Sequence, residues 1–185
     1  MINEDQNNDQ QEPVEQEEQA VNQAANGNTA DKQDAKGPGV KYPPPIVFLL
    51  VILLGAVLDY FWPIGMGDSG NGALIGGVLI LMGSTIAILV NAEFKRRNTA
   101  IEPWKPTTNI VTDGFYAWSR NPIYLGFCML SIGIGIALNS FWIFISFVPG
   151  ALAVQITAII KEEEYLEAKF GQEYLDYKAK VRRWL

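Results

Sequence analysis

The chain has 185 residues, 49% of them hydrophobic, with twenty acidic side chains, fourteen basic ones and no histidine. Its one cysteine, Cys128, lies inside an apolar run; a lone cysteine excludes an intrachain disulfide, and the missing histidine excludes a Cys/His zinc site, a Cys-His nucleophile and a Ser-His-Asp triad. The net negative charge is local. Residues 1–42 hold nine acidic and three basic side chains while the rest carries eleven of each, so an acidic balance says nothing about partners of the folded part.

Residues 1–44 are rich in Gln, Asn, Glu and Asp and poor in aliphatics. Such a stretch buries too little apolar surface to offset its ordering entropy and is predicted to be a disordered tail, a candidate acidic interaction arm. It lacks the basic start and apolar middle of a signal peptide. Residues 45–185 form the predicted domain. Four apolar runs follow, Ile46–Trp62, Ala73–Val90, Ile123–Leu138 and Phe141–Ile160, each of about 16–20 residues and near the length that crosses a bilayer as a helix. Asp59 is the one charge in or at the edge of these runs, beside Tyr60 and Trp62. The expected fold is therefore all-α: a polytopic membrane bundle of about four helices.

Residues 63–72 and 139–140 contain no Lys or Arg, whereas the segment between the second and third runs carries Lys95, Arg96, Arg97, Lys105 and Arg120. With four crossings, both termini and that segment are expected to be cytoplasmic. Gly76, Gly77, Gly83, Gly126, Gly133 and Gly135 suit close helix packing in lipid. The Gly-rich start of the second run has no preceding strand, which argues against a dinucleotide loop. Pro149-Gly150 predicts a kink or a lateral opening for an apolar substrate. Beyond Ile160, Leu166, Phe170, Tyr174, Tyr177 and Val181 recur at helical spacing, with a break expected at Gly171. This predicts an amphipathic C-terminal cytoplasmic helix lying on the bilayer or over the preceding loop, its basic end at 178–183 suited to anionic lipid.

Asn121-Pro122 reads as a helix start, with Asn as cap and Pro at the first helical position. The third and fourth runs are joined by about two residues and must form an antiparallel hairpin. Helix length alone then brings Arg120, Asn121 and Tyr124 to the depth of Glu162, Glu163 and Glu164. Each residue singly has a plain reading, as anchor, cap or solvated carboxylate. Together they form a partly desolvated cluster of cation, amide, phenol and acid, suited to a zwitterionic ligand.

At these residues the chain resembles the isoprenylcysteine carboxyl methyltransferase family and the wider phospholipid methyltransferase-like membrane enzymes. The resemblance rests on Asn109–Gly126 (V-T-x-G-x-Y-A-W-x-R-N-P-x-Y-x-G) and Glu162–Val181 (E-E-x-x-L-x-x-x-F-G-x-E-Y-x-x-Y-x-x-x-V). It implies S-adenosyl-L-methionine bound without a Rossmann domain. By position, cofactor contacts fall on Thr108, Asn109, Ile110, Val111, Tyr116, Asn121, Pro122, Ile123, Tyr124 and Glu162. Arg120 and Glu163 are the candidate catalytic residues, Arg120 as partner of a cofactor or lipid anion and Glu163 as base for an amine acceptor. Two positions depart from the family pattern: many members have histidine where Asn121 stands, and the prenylcysteine enzymes have arginine where Ala158 stands, which argues against a carboxylate acceptor. The implied activity is methyl transfer to a lipophilic acceptor. The alternatives are an NAD(P)H-dependent reductase of the sterol reductase-like type and a non-enzymatic membrane adaptor. No metal and no nucleic-acid partner are expected.

Overall fold

A computed structural model describes residues 37–67, 70–102 and 105–185; most of the acidic tail lies outside them. The regular structure of the described residues is helical, with no strand among them. Helix α1 spans Pro44–Phe61 and starts on a proline, which loses nothing there because the first amides of a helix have no partner inside it. Its inward residues are Pro44, Phe48 and Gly55, and Leu49, Leu50, Leu53 and Leu54 face outward. An apolar outer face of this kind matches lipid, where each backbone polar group must be satisfied inside its own helix. Helix α2 spans Gly72–Arg96 and α3 spans Pro122–Ala137.

Among the described residues three helical stretches are long and apolar enough to cross a membrane: α1, α2 and the 30-residue rod Phe141–Phe170. Helix α3 is shorter, with 16 residues, or about 24 Å of rise. It packs intimately along α2. A Cβ on Gly76 would lie 2.5 Å from the Gly133 carbonyl oxygen, and one on Gly83 2.5 Å from that of Gly126. The two backbones touch, and only hydrogen fits between them.

The rod changes its helical geometry twice, at Ser146 and at Gln155–Ile159. Ser140 caps its start by accepting from the Ile143 amide at 3.3 Å. Helix α4 (Phe141–Ile145) gives way to α5 (Phe147–Val154) at Ser146. Pro149 is the cause: it has no amide to bond Ile145, and its ring crowds that carbonyl. The break expected at Pro149-Gly150 thus falls one turn earlier, and no opening forms at Gly150, where a Cβ would be 2.9 Å from the Phe48 ring. A π-helical turn, Gln155–Ile159, leads into α6 (Ile160–Phe170). Gly171, at φ +53° and ψ −123°, then turns the chain into α7 (Gln172–Lys180), the break that its sequence position predicted.

The loops without basic residues meet at one end of the bundle. The Phe141 amide donates to the Ile64 carbonyl at 2.9 Å, Met66 N to Asn139 Oδ1 at 2.9 Å, and Trp142 Nε1 to the Trp62 carbonyl at 2.8 Å. The segment between α2 and α3, the end of the rod, α7 and the C-terminus occupy the other end. Residues 37–43 also belong there, contrary to their assignment to the tail. Val40 is 3% exposed and packs into the cluster of Phe48, Tyr124, Val154, Ala158 and Ile159. One buried valine anchors a segment whose composition is otherwise that of a loop.

Candidate cofactor site

The end of α2 is tied to the loop that precedes α3 through one arginine. Arg97 Nη2 reaches both Asp113 carboxylate oxygens at 2.6 and 2.7 Å, and its Nε bonds Glu93. The guanidinium holds the Asp113 carboxyl below its ordinary range. This places the 3₁₀ turn Gly114–Ala117 against α2, with the Tyr116 ring 5.6 Å from that of Phe94. The Tyr116 carbonyl accepts from the Tyr177 hydroxyl of α7 at 2.8 Å, so α7 lies over the loop. Burial pushes the phenols of Tyr116 and Tyr177 up, and pushes Tyr174 up to about 12, while Arg120 beside the Tyr174 hydroxyl pulls the other way.

Between these elements lies a cleft of about 830 Å³, space open to solvent at its mouth included. Ten of the twelve predicted site residues line it: Asn109, Ile110, Val111, Tyr116, Arg120, Asn121, Ile123, Tyr124, Glu162 and Glu163. Two do not. Thr108 is exposed and turned onto its own loop, its amide donating to Thr99 Oγ1 at 3.2 Å and its hydroxyl to the Asn98 carbonyl at 3.3 Å. Thr107 takes its place in the wall. Pro122 is buried behind the wall as the first residue of α3.

The hairpin puts the two motifs in direct contact. Tyr124 donates to Glu162 Oε1 at 2.6 Å. Glu163, one residue further, is an ion-pair hub: Arg183 Nε and Nη2 bond its two oxygens at 3.0 and 2.7 Å, and Arg120 Nη1 lies 3.1 Å from Oε1. The Arg120 side chain is only 10% exposed, yet its Nε and Nη1 have no hydrogen-bond acceptor among the described residues. Its approach to Glu163 is therefore coulombic rather than a formed hydrogen bond. Buried donors of this kind are costly unless something accepts from them.

Asn121 does not cap α3 with its side chain. Its Nδ2 donates instead to the Arg183 carbonyl at 3.0 Å, and the Ser119 hydroxyl donates to the same carbonyl at 3.3 Å. The Arg120 amide bonds the Arg182 carbonyl at 3.0 Å. The reason is competition: the carbonyls of the C-terminal segment need donors, and asparagine supplies one. The C-terminus is locked further by Trp184, whose Nε1 donates to Gln155 Oε1 at 3.2 Å in the π-helical turn. Arg183 thus turns inward, away from the lipid-facing role predicted for the basic end. Ala158 is fully buried and presents no cation to the cleft.

Sequence reasoning missed Phe94, Ile101, Glu102 and Pro38 in the wall. Tyr174 and Tyr177 carried a signal, since both sit on the apolar stripe of the last helix, but a stripe does not say what it covers.

The family model described as phospholipid methyltransferase matches residues 72–173, a stretch that holds α2, α3, the rod and the cleft's acidic pair. The chain belongs to that family, and its apolar helices make it an integral membrane protein. It is similar to the protein-S-isoprenylcysteine O-methyltransferases of Saccharomyces cerevisiae (30% identity over 58% of this chain and 46% of the relative), Schizosaccharomyces pombe (36% over 39% and 30%) and Xenopus laevis (27% over 59% and 38%). The matched region covers less than half the length of each of these relatives.

Proposed function

We propose that this protein transfers a methyl group from S-adenosyl-L-methionine to a lipophilic acceptor at the cytoplasmic face of a membrane. The observation that carries the reading is a cleft at one end of an apolar bundle in which a desolvated arginine with free donors stands near a tyrosine-bonded carboxylate. A ligand with a carboxylate and an adjacent cationic part is what such a wall complements, and the family match supplies the chemistry.

When bound, the cofactor supplies a methyl group already activated on a sulfonium. The protein's task is then alignment and charge complementarity. Arg120 offers Nε and Nη1 to the ligand's carboxylate. Glu162, oriented by Tyr124, faces the cationic part. The Phe94–Tyr116 pair gives an aromatic wall, a surface that attracts cations and stacks on flat rings. Asn109, Ile110, Val111, Asn121 and Ile123 complete the wall, and Thr107 replaces Thr108. Glu163 serves in this reading as the hub that aims Arg120 rather than as a base, because Arg183 engages both its oxygens. The basic residues between α2 and α3 lie at the cleft end of the bundle, which supports a cytoplasmic site if α3 completes a fourth crossing.

The acceptor is a lipid or a small hydrophobic molecule that reaches the cleft from the bilayer. Ala158 argues against a carboxylate acceptor, since no guanidinium stands there to hold one. Membranes containing the protein, incubated with methyl-labelled cofactor, should transfer label into a lipid or small hydrophobic fraction. Label found in no fraction, with the protein folded and abundant, sinks the proposal.

A further inference from the structure

The segment Gly37–Val40 occupies a position that neither the family match nor the motif residues explain. The family match begins only at residue 72, yet Pro38 lines the cleft beside residues of the proposed cofactor site. Gly37 is buried against the segment between α2 and α3: a Cβ there would meet the Lys105 carbonyl carbon and oxygen at 2.5 and 2.6 Å, and its φ is +62°. Lys105 itself is fastened to Glu102, another wall residue, by a 2.7 Å ion pair. Three residues on, Val40 is buried in the cluster that also holds Tyr124, the residue that orients Glu162. Gly39, at φ +65° with open space around it, completes a Gly-Pro-Gly turn between the two contacts.

We infer that Gly37–Val40 is a hinged strap that forms one wall of the cofactor site and lifts to let the ligand exchange. The inference rests on the methyltransferase reading of the cleft. The strap bridges two walls from opposite sides, α1 by covalent connection and the α2–α3 segment by a glycine-to-backbone contact. Among the described residues its grip is the Val40 side chain and the van der Waals seat of Gly37, and it lies outside the helices that carry the rest of the site. Contacts that are few and local open more readily than helix packing does. Pro38 stiffens the turn and the three prolines at 43–45 stiffen its root at α1, so the segment is suited to move as one piece about the exposed Lys41 and Tyr42 between them.

The test is the kinetics of S-adenosylhomocysteine binding to the full chain in detergent. It compares the unaltered protein, Val40→Ala, Gly37→Ala and Ile143→Val, the last thinning buried packing at the far end of the bundle. Val40→Ala removes two buried methyl groups from the grip and should speed release and entry by about tenfold. Gly37→Ala should do the same by unseating the strap from Lys105, and Ile143→Val should change neither rate. Faster release without faster entry means a fixed wall and overturns the strap. Unchanged rates in both strap variants overturn it as well, and so does equal acceleration by Ile143→Val. Absence of binding to the unaltered chain instead overturns the methyltransferase reading on which the inference stands.

Discussion

Replacing Glu163 by glutamine separates a charge hub from a catalytic base. The Glu163 side chain is 8% exposed and stands between Arg120, 10% exposed, and Arg183, 35% exposed. The amide is nearly isosteric, so packing survives, but two guanidinium groups are left facing one another with no anion between them. Losing one partner of a buried ion pair costs roughly 3–5 kcal/mol; water reaches Arg183, so the low end, about 3 kcal/mol, is the expected loss. For a chain of this size that is a fall of roughly 6–12 °C in melting temperature. Arg183→Ala should cost less, about 1 kcal/mol, because the carboxylate keeps Arg120 and the exposed partner is the one removed. Adding Arg183→Ala to Glu163→Gln should recover part of the loss by removing one of the two facing cations. Thermal unfolding of the four proteins in one detergent reads all of these effects. Glu163→Gln melting with the unaltered chain while abolishing methyl transfer would refute the hub and restore the carboxylate as a base.

Two further outcomes are expected. Gly76→Ala, whose new Cβ would lie 2.5 Å from the Gly133 oxygen, should push α2 and α3 apart at a cost of about 1–3 kcal/mol, whereas Gly77→Ala, with open space around it, should cost nothing in the same melting assay. Stability should also fall in alkali. The phenols of Tyr116, Tyr174 and Tyr177 are held above their ordinary value of 10.0 in the fold, so the stabilisation is whole below that pH. It is lost as pH rises from 10 through about 12, where the unfolded chain ionises and the folded one resists. Tyr174→Phe should flatten that decline, and a decline of unchanged steepness would remove Tyr174 from the explanation.

The long-range contact between Tyr124 and Glu162 was legible in the sequence because a two-residue connection and two helical lengths leave no other arrangement. The turn at Gly171 was legible for a similarly local reason: a glycine interrupts an amphipathic stripe. Asn121 was legible as a position and not as a role, since capping is a local rule and the Arg183 carbonyl that claims its amide lies 62 residues away. Arg183 looked like a lipid contact because a basic cluster at a chain end has no internal signature of the partner it will find. The strap was illegible for the opposite reason. Val40 is one aliphatic residue among glycine, proline and polar neighbours, and no periodicity marks a segment held by a single peg. The exchange of Thr108 for Thr107 is a one-residue shift in a loop, where neither helical nor strand period fixes which side chain faces inward.

The claim that the cleft is a cofactor site is tested most directly by equilibrium binding of S-adenosylmethionine to the purified chain, alongside Glu162→Gln and Tyr124→Phe. The unaltered protein should bind it saturably. Tyr124→Phe should weaken binding by about tenfold, the worth of one charge-assisted hydrogen bond, and Glu162→Gln by more, because it removes the charge itself. Equal affinity in all three proteins, or saturable binding of NADPH with none of S-adenosylmethionine, would contradict the account.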